Sequence, residues 1–110
     1  MRYLDEGLLE ELREILDEEF PALVSTYVQD SVVRVQDMQA AYTRGDAEAL
    51  RKSAHSLKGA SANLGLEVLT DLCRQLEEAV LAGRQEGMDA CLRQIGEEQQ
   101  RASGLLKGFL

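Results

Sequence analysis

The residues most able to do chemistry lie in one short stretch, Leu50–Gly65, whose sequence reads LRKSAHSLKGASANLG. This stretch holds the only histidine of the chain, His55. It also holds three cations: Arg51, Lys52 and Lys58. Asp and Glu are absent from residues 49–66, although the whole chain carries a formal net charge of -8. A local excess of positive charge in an acidic protein indicates a place where a negatively charged group binds.

As a helix, this stretch has one apolar face that would turn toward a core. The face consists of residues spaced by three and four: Ala47, Leu50, Ala54, Leu57, Ser61 and Leu64. His55 lies roughly 130° around the helix from the centre of that face. Arg51 and Lys58 are one turn away from it on either side, and the small residues Gly59 and Ala62 continue its face. The sequence therefore predicts an exposed imidazole beside cations and little side-chain bulk.

Gly59 is an unusual choice inside a helix, where glycine costs about 1 kcal/mol relative to alanine. The apolar face continues beyond it, so Gly59 does not mark a helix end. Two interpretations remain open. Either a partner must come close to His55, or a neighbouring helix packs tightly at this position.

The segment AHSLKGASANLG resembles the signature of histidine phosphotransfer (HPt) domains. That signature is His-x-x-Lys-Gly, followed by small residues and a later glycine. Here these are His55, Lys58, Gly59, the tract 60–62 and Gly65. The resemblance implies that His55 accepts a phosphoryl group from an aspartate of one receiver domain and passes it to an aspartate of another. It also implies that Lys58 and Gly59 support the phosphoryl site.

The same resemblance implies a carrier without autokinase activity, working in a two-component phosphorelay. The chain has no Gly-rich phosphate loop and no nucleotide-binding motif, in agreement with this. In HPt systems the receiver domain holds the Mg²⁺, so neither a cofactor nor a metal site is expected in this chain. The implied partners are receiver domains of hybrid sensor kinases and response regulators.

Phosphoryl transfer needs a nucleophilic nitrogen, nearby positive charge and clearance for in-line attack. His55 supplies the nitrogen and Lys58 the nearest charge, with Arg51 second and Lys52, on the opposite flank, last. We expect a receiver-docking surface centred on His55 that includes Arg51, Lys58, Gly59 and Ala62. Helical geometry places two serines off this face, so they receive no chemical role: Ser56 and Ser61.

The elements that position this site are predicted to be helical throughout. Scarce aromatic residues (5%), one proline and abundant Leu, Ala and Glu favour helix over sheet. Apolar spacing predicts helices at residues 4–19, 22–44, 46–64, 66–82 and 86–108. Asp5 and Asp46 are expected N-caps, Pro21 fits a first helical turn, and Gly45 ends the second helix.

Residues 1–110 are therefore predicted to form a single all-α domain, an antiparallel four-helix bundle with a short extra N-terminal helix over one end. The predicted inward faces include Ile15, Leu23, Val32, Tyr42 and Leu105. A polar gap at Glu97–Arg101 indicates either a wetter part of the core or a surface crossing.

Composition excludes several other classes of protein. No apolar run is long enough to span a membrane, no secretory signal is present, and the acidity argues against nucleic acid as a partner. Cys73 and Cys91 are too few for a metal motif or a disulfide framework, so we expect reduced core thiols in a cytoplasmic protein. The charged outer faces predict a monomer.

Three alternatives stay open at this point. The chain could be a docking module that carries no phosphate, the HPt domain of a larger hybrid sensor kinase, or an enzyme that uses His55 as a general base. Met1 and the end of the fifth helix near Leu110 favour a free-standing protein over an excised domain. A general base would need a second catalytic group and a pocket, which the cations and small residues around His55 do not provide.

Overall fold

The computed structural model describes residues 1–110 and contains five α-helices joined by short turns. They are α1 (Glu6–Leu16), α2 (Phe20–Thr43), α3 (Ala47–Asn63), α4 (Glu67–Leu81) and α5 (Met88–Lys107). In the bundle α3 packs between α2 and α4, and α5 closes the ring by packing against α4 and α2. The molecule is elongated, measuring 42 × 24 × 19 Å. The predicted all-α bundle with a short extra N-terminal helix is confirmed.

The helix boundaries follow from capping residues that the sequence identified. The side chains of Asp5 and Asp46 accept hydrogen bonds from the backbone N–H groups of Leu8 and Ala49, at 3.1 and 3.0 Å. Such bonds satisfy backbone donors that have no partner in the first turn of a helix. Gly45 closes the preceding helix with φ of 74°, a conformation that glycine adopts at little cost.

The first helix ends earlier than predicted, at Leu16 instead of Glu19. Asp17 adopts φ of 48°, which breaks the helix, and a 3₁₀ turn covers Asp17–Glu19. Phe20 then takes helical dihedrals although Pro21 follows it. Phe20 is almost completely buried, and this burial offsets the usual bias of a residue before proline away from helix.

Six side chains predicted to face the core are instead exposed: Ile15, Leu23, Val32, Tyr42, Ala47 and Leu105. Ala47 is the first residue of α3, and each of the other five is the sequence neighbour of a more deeply buried residue: Leu16, Val24, Ser31, Ala41 and Leu106. Neighbouring residues differ by 100° around a helix, so only one of each pair can point at the bundle axis. The predicted apolar faces were therefore too wide at these positions.

The polar gap of α5 forms a hydrogen-bonded layer inside the core. Gln99 is buried, and its side-chain nitrogen donates to the hydroxyls of Ser31 in α2 at 3.0 Å and Ser103 at 2.9 Å. Glu98 is also buried and accepts a hydrogen bond from Arg101 at 3.0 Å. Part of the gap thus lies in the core as a polar layer, while Glu97, Gln100 and Arg101 are exposed.

The N-terminal segment fastens α1 to the turn between α3 and α4. The backbone N–H of Asp5 donates to the carbonyl of Gly65 at 2.8 Å, and that of Val68 donates to the carbonyl of Arg2 at 3.2 Å. Arg2 also pairs with Glu67 at 2.7 Å. α1 thus covers the end of the bundle at which α3 stops. None of the helices combines the length and the apolar character needed to cross a lipid bilayer.

Candidate functional site

His55 lies near the middle of α3 and points away from the core. Its side chain is 63% exposed, whereas Ala54 and Leu57 on the opposite face of the same helix are buried. The predicted orientation of the imidazole is therefore confirmed. An accessible position midway along a bundle gives a large partner room to approach the ring.

A carboxylate from the neighbouring helix lies behind the imidazole. Glu77 of α4 is only 8% exposed, and its Oε2 lies 2.7 Å from Nδ1 of His55. Its Oε1 accepts a hydrogen bond from Nζ of Lys58 at 2.6 Å. One buried carboxylate thus binds the histidine and the lysine of the motif at once.

The bonding of Glu77 determines the form of the histidine ring. The hydrogen bond from Lys58, and then that with His55, lower the pKa of Glu77 below its usual value, although burial acts in the opposite direction. An ionised carboxylate can only accept hydrogen bonds, so the Nδ1 atom of His55 must be the donor. In the neutral ring the lone pair is then on Nε2, the nitrogen that is not bonded to Glu77.

The cations around His55 are paired with carboxylates. Arg51 donates to Glu48 at 2.7 Å, and Lys52 lies 3.9 Å from the same carboxylate. Lys58 is bonded to Glu77. The stretch that lacks acids in sequence therefore has acids beside it in space, one from the preceding turn of α3 and one from α4. The excess of positive charge is smaller than the sequence indicated.

The surface on the C-terminal side of His55 is open. A Cβ atom placed on Gly59 meets no heavy atom within 4 Å, so tight packing against a neighbouring helix, the second interpretation of this glycine, is wrong. Ala62 is exposed as well. Together with Lys58 it lines a groove of about 400 Å³ between α3 and α4, to which Thr70 and Arg74 also contribute. The structure thus brings all the predicted site residues onto one face.

The other polar and sulfur-containing residues considered from the sequence have structural roles. The Ser61 hydroxyl is buried and forms a hydrogen bond of 2.8 Å with Tyr27 of α2. Cys73 and Cys91 are free thiols, and burial raises the pKa of Cys73 to about 12. No group of three His, Cys, Asp or Glu side chains is clustered so that it could hold a metal ion.

Glu77 binds both His55 and Lys58, yet the sequence analysis did not identify it. One signal for it was present. Glu77 follows Cys73 by four positions and precedes Val80 by three, so it lies at the edge of the inward face of α4. An acid at the edge of an apolar helix face needs a hydrogen-bonding partner, and that partner is the motif on α3.

Comparisons with known proteins agree with this geometry. The Hpt domain family matches the chain over residues 22–105. The crystal structure of histidine-containing phosphotransfer protein B from Pseudomonas aeruginosa PAO1 resembles it with a TM-score of 0.92 and 38% sequence identity, covering 96% of this chain and 92% of that chain. No curated protein sequence matches the chain. The exposed histidine, the family match and the shared fold together show that this chain belongs to the Hpt domain family and is a histidine phosphotransfer protein of phosphorelay signalling.

Proposed function

We propose that His55 is the phosphoryl carrier and that Nε2 is the atom that bears the phosphoryl group. The observation that carries this proposal is the 2.7 Å hydrogen bond between Nδ1 of His55 and the buried carboxylate of Glu77. It holds the ring in one orientation and reserves Nδ1 for the protein. Nε2 is left with a lone pair on the exposed side of α3, where a receiver domain can reach it.

The groups present account for every bond that the transfer step forms and breaks. The lone pair of Nε2 attacks the phosphorus of a receiver's phosphoaspartate, so that the P–N bond forms as the P–O bond to the aspartate breaks. The aspartate carboxylate leaves with the electron pair of that bond. Positive charge develops on the imidazole ring, and the carboxylate of Glu77, already bonded to Nδ1, stabilises it. The reverse step on a second receiver restores His55.

Lys58 and Gly59 take supporting parts in this proposal. Nζ of Lys58 is fixed by Glu77 one turn from His55, and its side chain is 30% exposed, so it can interact with phosphoryl oxygens while bonded to the carboxylate. The absence of any heavy atom near a Cβ on Gly59 leaves room for a receiver. Ala62 and Arg51 complete the docking surface on either side.

The partners and the cellular setting of the protein can be proposed from the same site. Hpt proteins exchange phosphoryl groups with receiver domains. We further propose that this chain is a single-domain, monomeric, cytoplasmic carrier without autokinase activity or a cofactor of its own. A net charge of -8 supports the proposal that neither nucleic acid nor an anionic membrane surface is a partner.

Phosphoryl transfer from a panel of phosphorylated receiver domains, with His55→Ala alongside, tests this function. We expect acid-labile, alkali-stable label on the wild type and none on the variant. Phosphorus NMR of the labelled protein should show phosphorylation on Nε2. Label that persists in His55→Ala, or phosphorylation on Nδ1, would contradict the proposal. Binding of receivers without any transfer would instead favour a docking module that carries no phosphate.

A further inference from the structure

An ion pair lies at the N-terminal edge of the His55 site, between Glu48 and Arg51 of α3. The guanidinium of Arg51 donates twice to the carboxylate, from Nη2 at 2.7 Å and from Nε at 3.4 Å. Arg51 is four residues before His55 and thus one turn away on the same face of the helix. Glu48 lies outside the segment that resembles the family signature.

We propose that Glu48 is a positioning residue that holds Arg51 beside His55 while the histidine is free, and that Arg51 leaves Glu48 to bind the phosphoryl group once His55 carries it. This inference rests on the proposed function of His55. It assigns a task to Arg51 beyond docking, and it makes Glu48 a competitor of the phosphoryl group for one cation.

The cost of release and the position of each cation together single out Arg51. Lys58 is bonded to Glu77, which is only 8% exposed, so its departure would leave a nearly buried carboxylate with one donor fewer. The side chain of Glu48 is 62% exposed, so water can replace Arg51 there. Lys52 is 70% exposed and lies on the opposite flank from Lys58. The cost of release thus excludes Lys58 and the position excludes Lys52, which leaves Arg51 as the cation that can change partner.

The reach and the chemistry of Arg51 fit this exchange. Four residues correspond to about 6 Å along a helix axis, a distance that an arginine side chain can span. Its planar guanidinium can bind two oxygens of a phosphoryl group in parallel, which a lysine cannot do. Glu48 raises the pKa of Arg51 first by its hydrogen bond and then by its charge, and the charge of Glu77 adds to this.

The test measures how the phosphoryl group distributes at equilibrium between one receiver and four forms of the protein: wild type, Glu48→Gln, Arg51→Gln and the double variant. Glu48→Gln frees Arg51, so we expect the equilibrium to move toward His55 by about twofold to fivefold, the range for removing one surface ion pair. Arg51→Gln should move it toward the receiver by about fivefold or more, as for the loss of a charged hydrogen-bond donor. The double variant should match Arg51→Gln.

Two further readouts separate an exchange of partners from a change in folding. In the wild type, the nitrogen NMR signal of Arg51 Nε should shift on phosphorylation, and the half-life of purified phosphoprotein should lengthen in Glu48→Gln and shorten in Arg51→Gln. Glu10→Gln is the matched control, because Glu10 forms the same three-residue-spaced pair with Arg13, but in α1. It should leave equilibrium and half-life unchanged.

Two results would overturn the inference while leaving the proposed function intact. One is a wild-type equilibrium in Glu48→Gln. The other is an effect of Glu48→Gln that persists undiminished in the Arg51→Gln background, because Glu48 would then act by its charge alone. A wild-type protein that takes no label on His55 would instead contradict the proposed function, and this inference with it.

Discussion

Glu77 and His55 lie 22 positions apart in the chain, and a side-chain hydrogen bond of 2.7 Å joins them. The bond connects α4 to α3 at the point where the phosphoryl group is proposed to be carried. Because the same carboxylate also accepts a hydrogen bond from Lys58 at 2.6 Å, one residue determines the orientation of the ring and of its nearest cation. Glu77 therefore positions the site although it lies outside the motif.

Replacing Glu77 by glutamine should slow phosphoryl transfer to His55. The amide can donate a hydrogen bond to Nδ1, which permits the other ring tautomer, and it no longer stabilises positive charge on the ring. We expect a rate roughly tenfold to a hundredfold lower, the range found when a metal-ligating histidine loses the hydrogen-bond partner that orients it. Rapid-quench kinetics measure the rate as a function of pH, and nitrogen NMR of His55 reports the tautomer.

The control for this change is Glu78→Gln. Glu78 is the next residue of α4, but it is exposed and pairs with Arg74 at 2.8 Å. Its replacement removes the same charge from the same helix without affecting the bond to His55, so transfer should be unchanged. An unaltered rate and tautomer in Glu77→Gln would show that the carboxylate has no positioning role.

Gly59→Ala should stabilise the free protein and impair docking at the same time. The added methyl group meets no heavy atom within 4 Å, and alanine is favoured over glycine inside a helix by about 1 kcal/mol. We therefore expect the free energy of unfolding to rise by up to that amount, measured by urea denaturation. Receiver affinity should fall, and Gly59→Glu should lower it further because a larger charged side chain covers the approach to His55.

Gly104→Ala is the matched control for the opposite effects that Gly59→Ala should have on stability and on receiver affinity. It is also inside a helix, α5, and a Cβ placed on it likewise meets nothing within 4 Å. Gly104→Ala should give a similar gain in stability with no change in receiver affinity. Equal receiver affinity in Gly59→Ala, Gly59→Glu and the wild type would contradict the clearance proposed for Gly59.

Most of the fold could be predicted because its signals are local. The caps Asp5 and Asp46 and the turn residue Gly45 each act within a few residues, and the alternation of apolar and polar positions repeats along each helix. The end of α1 could not be predicted in the same way. The positive φ of Asp17 ends that helix before the proline signal, and no glycine marks the position.

The site was predictable only as far as it lies on one helix. His55 and its neighbours on α3 follow from the period of the helix alone. The position of Glu77 depends on how α4 packs against α3, which single-helix spacing does not contain. Glu48 was missed for a simpler reason, since it lies one residue before the stretch without acids and yet pairs with Arg51 inside it. The pair has the three-residue spacing that brings side chains together on a helix, so it could have been predicted from the sequence.

Gly65→Ala should destabilise the fold more than Gly45→Ala. Both glycines have positive φ, 72° and 74°, so alanine at either position costs roughly 1–2 kcal/mol from the backbone conformation. At Gly65 a Cβ would also lie 2.8 Å from the Cβ of Asp5, whereas at Gly45 it meets nothing within 4 Å. The additional cost of this steric contact with Asp5 should therefore appear only in Gly65→Ala.

Urea denaturation compares these two variants, and hydrogen exchange shows where the structure gives way. The Asp5 amide donates to the carbonyl of Gly65 at 2.8 Å, so in Gly65→Ala its exchange should accelerate as the N-terminal segment detaches. In Gly45→Ala the same amide should keep its protection. Equal losses of stability in both variants would mean that the N-terminal segment adapts without cost.

The two buried glutamates of the bundle should have opposite effects on the pH dependence of stability. Burial raises the pKa of Glu98 above its usual 4.5, although the hydrogen bond and charge of Arg101 act against this. Its Oε2 has no hydrogen-bond partner. The folded state therefore binds the proton of Glu98 more tightly than the unfolded state, so this residue lowers stability as the pH rises through 4.5 and up to the raised pKa.

Glu77 has the reverse sign, because the hydrogen bonds from Lys58 and His55 lower its pKa from 4.5. Its contribution to stability is present above that value and is lost as the pH falls through the lowered pKa. Urea denaturation between about pH 3 and pH 8 separates the two effects. Relative to the wild type, Glu98→Gln should gain stability as the pH rises, and Glu77→Gln should lose stability. Parallel curves for both variants would show that the carboxylates are equivalent and that the pairing of Glu77 contributes nothing to the folded state.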